Sequence, residues 1–294
     1  MNKLLRFLAL CTIGAALATS SIAWAQTYTS YDYPGAISTV LDGGPNPQGT
    51  AVGSYTDTAN VTHGFTLTKK GVATAFDPPG STLTTPNFIS PQGVIVGSYL
   101  DSGGVSHGFI LAGGNYTTLD FPGAAGTTLT GISPSGELSG FSCSDPACGN
   151  TGNPTTNQSF TVSKKGAFTS FDPPGSVSDE ASTVNPSGEV VGAYRDSGGV
   201  THGYILFHGN YVTDDPPGSI FTFNGGGNPA GDVAGIYVDS GGVGHGFLLS
   251  NGVYTSFDYP GATFTEGTGI NPGGVIVGIY TDSANVTHGF IRTP

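Results

Sequence analysis

From residue 26 to the end of the chain, apolar residues come in short runs broken by Gly, Pro, Asn and Asp. No stretch keeps them at the three-to-four-residue spacing of a helix face. Runs such as Val94 to Tyr99 (V-I-V-G-S-Y), His107 to Leu111 (H-G-F-I-L) and Tyr116 to Asp120 (Y-T-T-L-D) are rich in β-branched and aromatic residues, and predict strands. Between them stand strong turn signals. Asn46-Pro-Gln-Gly49, Ser133-Pro-Ser-Gly136 and Asn271-Pro-Gly-Gly274 place Asn or Ser first, Pro second and Gly fourth, the preference of a type I turn.

The pattern is periodic. An Asp-x-Pro-Gly element starts at Asp32, Asp77, Asp120, Asp172, Asp215 and Asp258, with a usual step of 43 residues and one long step of 52. Such a period marks a solenoid, a propeller or an array. Each unit holds four predicted strands, so the expected fold is all-β: a six-bladed β-propeller of four-stranded blades, an arrangement that leaves few exposed sheet edges. A β-solenoid is the alternative, with shorter repeats. The ends favour the propeller. The chain stops at Phe290-Ile-Arg-Thr-Pro294, after the third run of the last unit, and Thr27 to Asp32 is a fourth run with no unit before it. The expectation is a ring closed by the N-terminal strand, in a single domain over 26–294.

Residues 1–25 read differently. Lys3 and Arg6 precede an apolar run from Phe7 to Leu17, and Ala23-Trp24-Ala25 fits a cleavage site before Gln26. This is expected to be a secretory signal peptide, so the protein is expected to be secreted or periplasmic, with no membrane insertion after cleavage. The chain carries 20 acids against 8 Lys and Arg, a net charge of −12. That balance repels phosphate backbones and excludes nucleic acid as a partner. Export permits a disulfide, and Cys143 with Cys148 is the expected pair, since no second pair or nearby His completes a zinc site. Both lie in the unit lengthened to 52 residues, whose extra segment spans about 143–157 and whose His-Gly-Phe becomes Gln158-Ser159-Phe160.

His63-Gly64-Phe65, His107-Gly108-Phe109, His202-Gly203-Tyr204, His245-Gly246-Phe247 and His288-Gly289-Phe290, together with Gly269-Ile-Asn-Pro-Gly-Gly-Val-Ile-Val-Gly278, resemble the bacterial extracellular HAF repeat. The resemblance covers nearly all of 26–294. This chain has Gly where that family has Ala, and adds Asp-x-Pro-Gly. The resemblance implies an exported repeat protein and supplies no catalytic residues.

The five repeated histidines suggest a metal ring, but they fall on the third strand of each unit. Two strand spacings put them roughly 10 Å from the innermost strand, too far to converge on one ion. They are expected to lock loops together instead, by bonding the Asp six residues earlier or an Asp-x-Pro-Gly carboxylate. One Asp per Asp-Ser-Gly-Gly loop is likewise expected to bond its own turn amides rather than calcium. Gly104-Val-Ser106-His-Gly108 lacks the strand-to-helix setting of a nucleophile elbow. Four acids stand off the repeat pattern on the proposed innermost strands: Asp42, Asp179, Glu180 and Glu266. Acids crowded around a channel raise one another's pKa or recruit a cation. The candidate site is therefore a central one for Ca²⁺ or a cationic ligand, held by Asp42, Glu180 and Glu266 with Asp179 in support.

The functional expectation is an exported non-catalytic binding or scaffold protein, monomeric, whose partner is an extracellular ligand or protein. The alternatives are an extracellular hydrolase or lyase with a central acidic or metal site, and a purely structural envelope protein.

Overall fold

A computed structural model describes residues 26–150 and 155–294. The expected signal peptide over 1–25 lies outside the described residues, as does the tip of the long loop at 151–154. Among the described residues there are 24 strands and no helix, so none is long and apolar enough to cross a membrane.

Five groups of four consecutive strands pair antiparallel, each made from one sequence unit. In the first unit Ser38–Gly43 pairs with Ala51–Thr56, that strand with Thr62–Leu67, and that with Ala73–Phe76. Single parallel bridges, Thr62 to Leu83 and Gly244 to Phe264, tie some neighbouring groups into larger sheets. The Pro turns form as their residues dictate: Gly49 N–H bonds to Asn46 carbonyl at 2.8 Å, with Gly49 at φ 80°. The Asn46 side chain caps the turn by accepting from Gln48 and Thr50 amides at 3.1 and 3.0 Å.

The last group takes its fourth strand from the other end of the chain. Thr27–Tyr31 pairs antiparallel with Thr287–Thr293, in register from Thr27↔Thr293 to Tyr31↔Gly289. The first and last groups also pack together: Leu41, Phe65 and Val277 share one cluster with Tyr31 and Ile291.

The aromatic of each His-Gly-Phe motif forms the core. Phe65, Phe109, Phe160, Tyr204, Phe247 and Phe290 are all fully buried, each stabilising by about 3 kcal/mol on area grounds. Every one of these rings lies over a second-strand glycine. A Cβ on Gly278 would stand 2.7 Å from the Phe290 ring and 2.0 Å from Glu266 carbonyl, and the same holds at Gly53, Gly97, Gly140, Gly192 and Gly235. That close approach accounts for the invariant glycine of the Val-x-Val-Gly run.

Candidate functional site

The innermost strand of every group carries a β-bulge, which offsets the pairing by one residue. The register shifts fall at Leu41/Gly43, Pro86/Phe88, Leu129/Gly131, Ala181/Thr183, Asn224/Gly226 and Gly267/Gly269. The bulged residues are Asp42, Asn87, Thr130, Ser182, Gly225 and Thr268, and all six line one cavity of about 250 Å³. Thr128, Phe141, Glu180, Phe223 and Glu266 complete its wall.

Three bulged side chains stitch one group to the next. Asn87 Nδ2 donates to Leu129 carbonyl (2.8 Å), Thr130 Oγ1 to Ala181 carbonyl (2.6 Å) and Thr268 Oγ1 to Leu41 carbonyl (2.5 Å). Each acceptor immediately precedes the bulge of the next group. Ser182 occupies the same position and is buried, yet its Oγ has no hydrogen-bond partner among the described residues.

Asp42, Glu180 and Glu266 are each partly buried in the cavity wall. Burial pushes Asp42 up to about 7; the Ser54 hydroxyl donating to Oδ2 at 3.2 Å opposes this, and the nearby Glu266 charge adds to it. Burial alone carries Glu266 to about 7. Glu180 is raised by burial, against a 2.6 Å hydrogen bond from Asn157 Nδ2 to its Oε1. Asn157 opens the strand that follows the extra segment, so the lengthened unit reaches into this site.

Two parts of the sequence expectation need correction. Asp179 does not join the other three acids. As the strand neighbour of Glu180 it points to the opposite face, is 2% exposed, and accepts from Ser159 N–H at 2.9 Å. Burial raises its pKa, and the neighbouring Asp172 adds to the effect. Nor do Asp42, Glu180 and Glu266 form a metal cluster: among the described residues, no three His, Cys, Asp or Glu are gathered so as to hold a metal ion. The Ca²⁺ site expected from four acids is not assembled.

Nearer the Pro turns, a separate cavity of about 70 Å³ is lined by Ile89, Ile132, Val184, Ile270 and the turn prolines.

The histidines do act as locks. His63 Nδ1 lies 2.7 Å from Asp77 and Nε2 3.6 Å from Asp57. The same Asp–His–Asp arrangement recurs at His107, His202, His245 and His288. Each imidazole also packs on a second-strand Tyr, at 5.1 Å between Tyr55 and His63. The loop Asp of each triad bonds its own turn: Asp101 Oδ1 accepts from Gly103 and Val105 amides at 2.8 and 2.9 Å. In the lengthened unit Gln158 Nε2 replaces the imidazole and donates to Asp172 at 3.2 Å. Cys143 and Cys148 are bonded there, with Cα atoms 5.3 Å apart.

Sequence reasoning missed Asn87, Thr130, Ser182 and Thr268, because a bulge leaves no residue signature. It also passed over Asp214, which is buried and accepts from Asn224 Nδ2 (3.1 Å) and the Tyr254 hydroxyl.

No family model matches the chain, and no curated protein matches it. Solved structures do. A putative TolB from Agrobacterium tumefaciens aligns with a TM-score of 0.58 at 15% identity, over 86% of this chain and 89% of that one. AofleA from Arthrobotrys oligospora gives 0.56 at 12%, over 90% and 86%. The fungal lectin from Aleuria aurantia, described as a six-bladed β-propeller with a fucose recognition mode, gives 0.51 at 11%, over 86% and 90%. The fold is a β-propeller. At these identities the likeness shows the fold alone, and the ligands of those proteins stay theirs.

Proposed function

We propose that this chain is an exported, non-catalytic binding protein: a six-bladed propeller of HAF-type repeats, closed by its N-terminal strand, with its ligand in the acidic cavity where the innermost strands meet. One observation carries the reading: a single cavity takes a lining residue from every four-stranded group. Pairing of Thr27–Tyr31 with Thr287–Thr293 supports the closure, and the proposal of export rests on the signal-peptide pattern read in residues 1–25. Pockets with a few converging polar groups are the usual ligand sites of such folds.

Thermal-shift measurements with glycans (α-methyl fucoside included), metal ions and organic cations test it, on the parent and on Thr128→Trp, which fills the cavity. The ligand that stabilises the parent is expected to lose its effect in the variant. A ligand that stabilises both equally sits elsewhere and overturns the reading.

A second reading rests on the raised Asp42 and Glu266 carboxyls. Groups that exchange protons near neutrality serve general acid–base catalysis, so a hydrolase or lyase would use this pair. Turnover of a sugar or lactone, abolished by Asp42→Asn, would replace the binding reading.

A further inference from the structure

Taking the acidic cavity as the ligand site, three features of its wall define what the ligand must offer. The first is charge. Asp42, Glu180 and Glu266 come from three different strand groups, and no basic side chain lines the cavity. Positive charge must arrive with the ligand, and a chain of net charge −12 draws cations toward it.

The second feature is the unsatisfied hydroxyl. Ser182 is 7% exposed, and its Oγ has no partner among the described residues, whereas Asn87, Thr130 and Thr268 at the same bulge position all bond the next group. A buried hydroxyl without a partner costs about 1–3 kcal/mol. A ligand N–H or O–H reaching Ser182 Oγ removes that cost. Ser182 and Glu180 line the same cavity.

The third feature is spread. Calcium needs six to eight oxygens around one point, and these carboxyls are not gathered to one point. Separate carboxylates accept only, and an ammonium group donates only. Phe141 and Phe223 stand in the same wall, offering ring faces to cations and methylene chains.

We propose that the cavity binds a linear organic polyammonium ion, its ammonium groups on the Asp42, Glu180 and Glu266 carboxylates, its methylenes against Phe141 and Phe223, and one N–H on Ser182 Oγ. Specificity follows from the number and spacing of charges. The burial that lifts these carboxyls adds a signature: an arriving ammonium group favours the ionised forms, so binding near neutral pH releases protons.

Isothermal titration of the exported chain with spermidine and putrescine, in two buffers of different ionisation enthalpy at pH 7, tests the proposal, with Ca²⁺ and α-methyl fucoside alongside. Spermidine is expected to bind with net proton release. Glu180→Gln with Glu266→Gln is expected to weaken it by about 10- to 100-fold or more, the scale of lost charge-assisted hydrogen bonds. Ser182→Ala keeps the fold testable and is expected to weaken it several-fold. Asp101→Asn with Asp239→Asn, on the loop face, leaves it unchanged. No spermidine binding to the parent, or equal binding to the double carboxamide or Ser182→Ala variants, overturns the proposal. Binding of Ca²⁺ or the fucoside alone, lost in Thr128→Trp, also overturns it while leaving the cavity as the ligand site.

Discussion

The imidazole Nδ1 of His288 lies 2.7 Å from Asp32 Oδ1, joining residues 256 apart in sequence. In every other triad the Asp-x-Pro-Gly carboxylate follows its histidine by 13 or 14 residues. Here the partner comes from the start of the chain, as does the strand that pairs with Thr287–Thr293. Tyr28 on that strand packs edge-on against Tyr259 at 5.6 Å and leans on Phe290 at 6.0 Å. Removing 26–35 strips this strand and leaves an unpaired edge. The expected outcome is aggregation, or a Tm lowered by 10 °C or more (roughly 5 kcal/mol for a chain this size). Unchanged melting by circular dichroism would show the strand to be dispensable.

The lengthened unit shows what a triad tolerates. Gln158 holds Asp172 as an imidazole would, so His202→Gln is expected to cost less than about 1 kcal/mol, and His202→Leu about 1–3 kcal/mol, because it leaves Asp215 with only the Gly203 amide. Urea midpoints of the two variants decide this. Equal losses would mean that the imidazole acts by packing on Tyr194 alone.

His63, His202 and the lumen acids all make stability fall as pH rises, over different windows. His202 is raised by Asp215 and Asp196 against the lowering effect of burial, and His63 is raised chiefly by Asp77. Their stabilisation is complete below the ordinary histidine pKa of 6.5 and is lost as pH rises through the folded values. Asp42 and Glu266 keep their protons when folded up to about pH 7 but release them near 3.8 and 4.5 when unfolded. Between those values the unfolded chain binds fewer protons, so these groups make stability fall as pH rises from about 4 to 7. Denaturation of Asp42→Asn with Glu266→Gln at pH 4.5 and pH 7.5 is expected to show a smaller loss across the window than the parent. An identical loss would place the titration elsewhere.

Gly278 faces Glu266 carbonyl and the Phe290 ring, with no room for a methyl group. Backbone on one side and a fully buried ring on the other leave nothing to give. Gly278→Ala is expected to destabilise by about 1–3 kcal/mol or more. A neutral result by thermal melting would mean the strands can separate locally.

Mass spectrometry of the purified chain, without reductant, should show Cys143 joined to Cys148. Replacing both by Ser is expected to cost about 2 kcal/mol in the chain-entropy account of short loops. Two free thiols in the purified chain would contradict the bond.

Several features were legible in the residues alone. Repeated strand runs and Asn-Pro-x-Gly turns fix the four-stranded units, because strand preference and turn chemistry act over a few neighbours. The His and Asp locks were legible because their spacing recurs, and Glu180 with Glu266 because they share a repeat column. What tertiary structure decided lies off that pattern. A bulge in each innermost strand places Asp42, Asn87, Thr130, Ser182, Gly225 and Thr268 on the cavity wall, and a bulge depends on how two strands pair, not on which residues they carry. Strand alternation sends Asp179 away from Glu180, so adjacency in sequence became separation in space. Whether a carboxyl is hydrated or enclosed depends on walls supplied by units far away along the chain. Only the assembled molecule therefore decides that Asp42 and Glu266 hold protons near neutrality, and that the Ser182 hydroxyl has no partner.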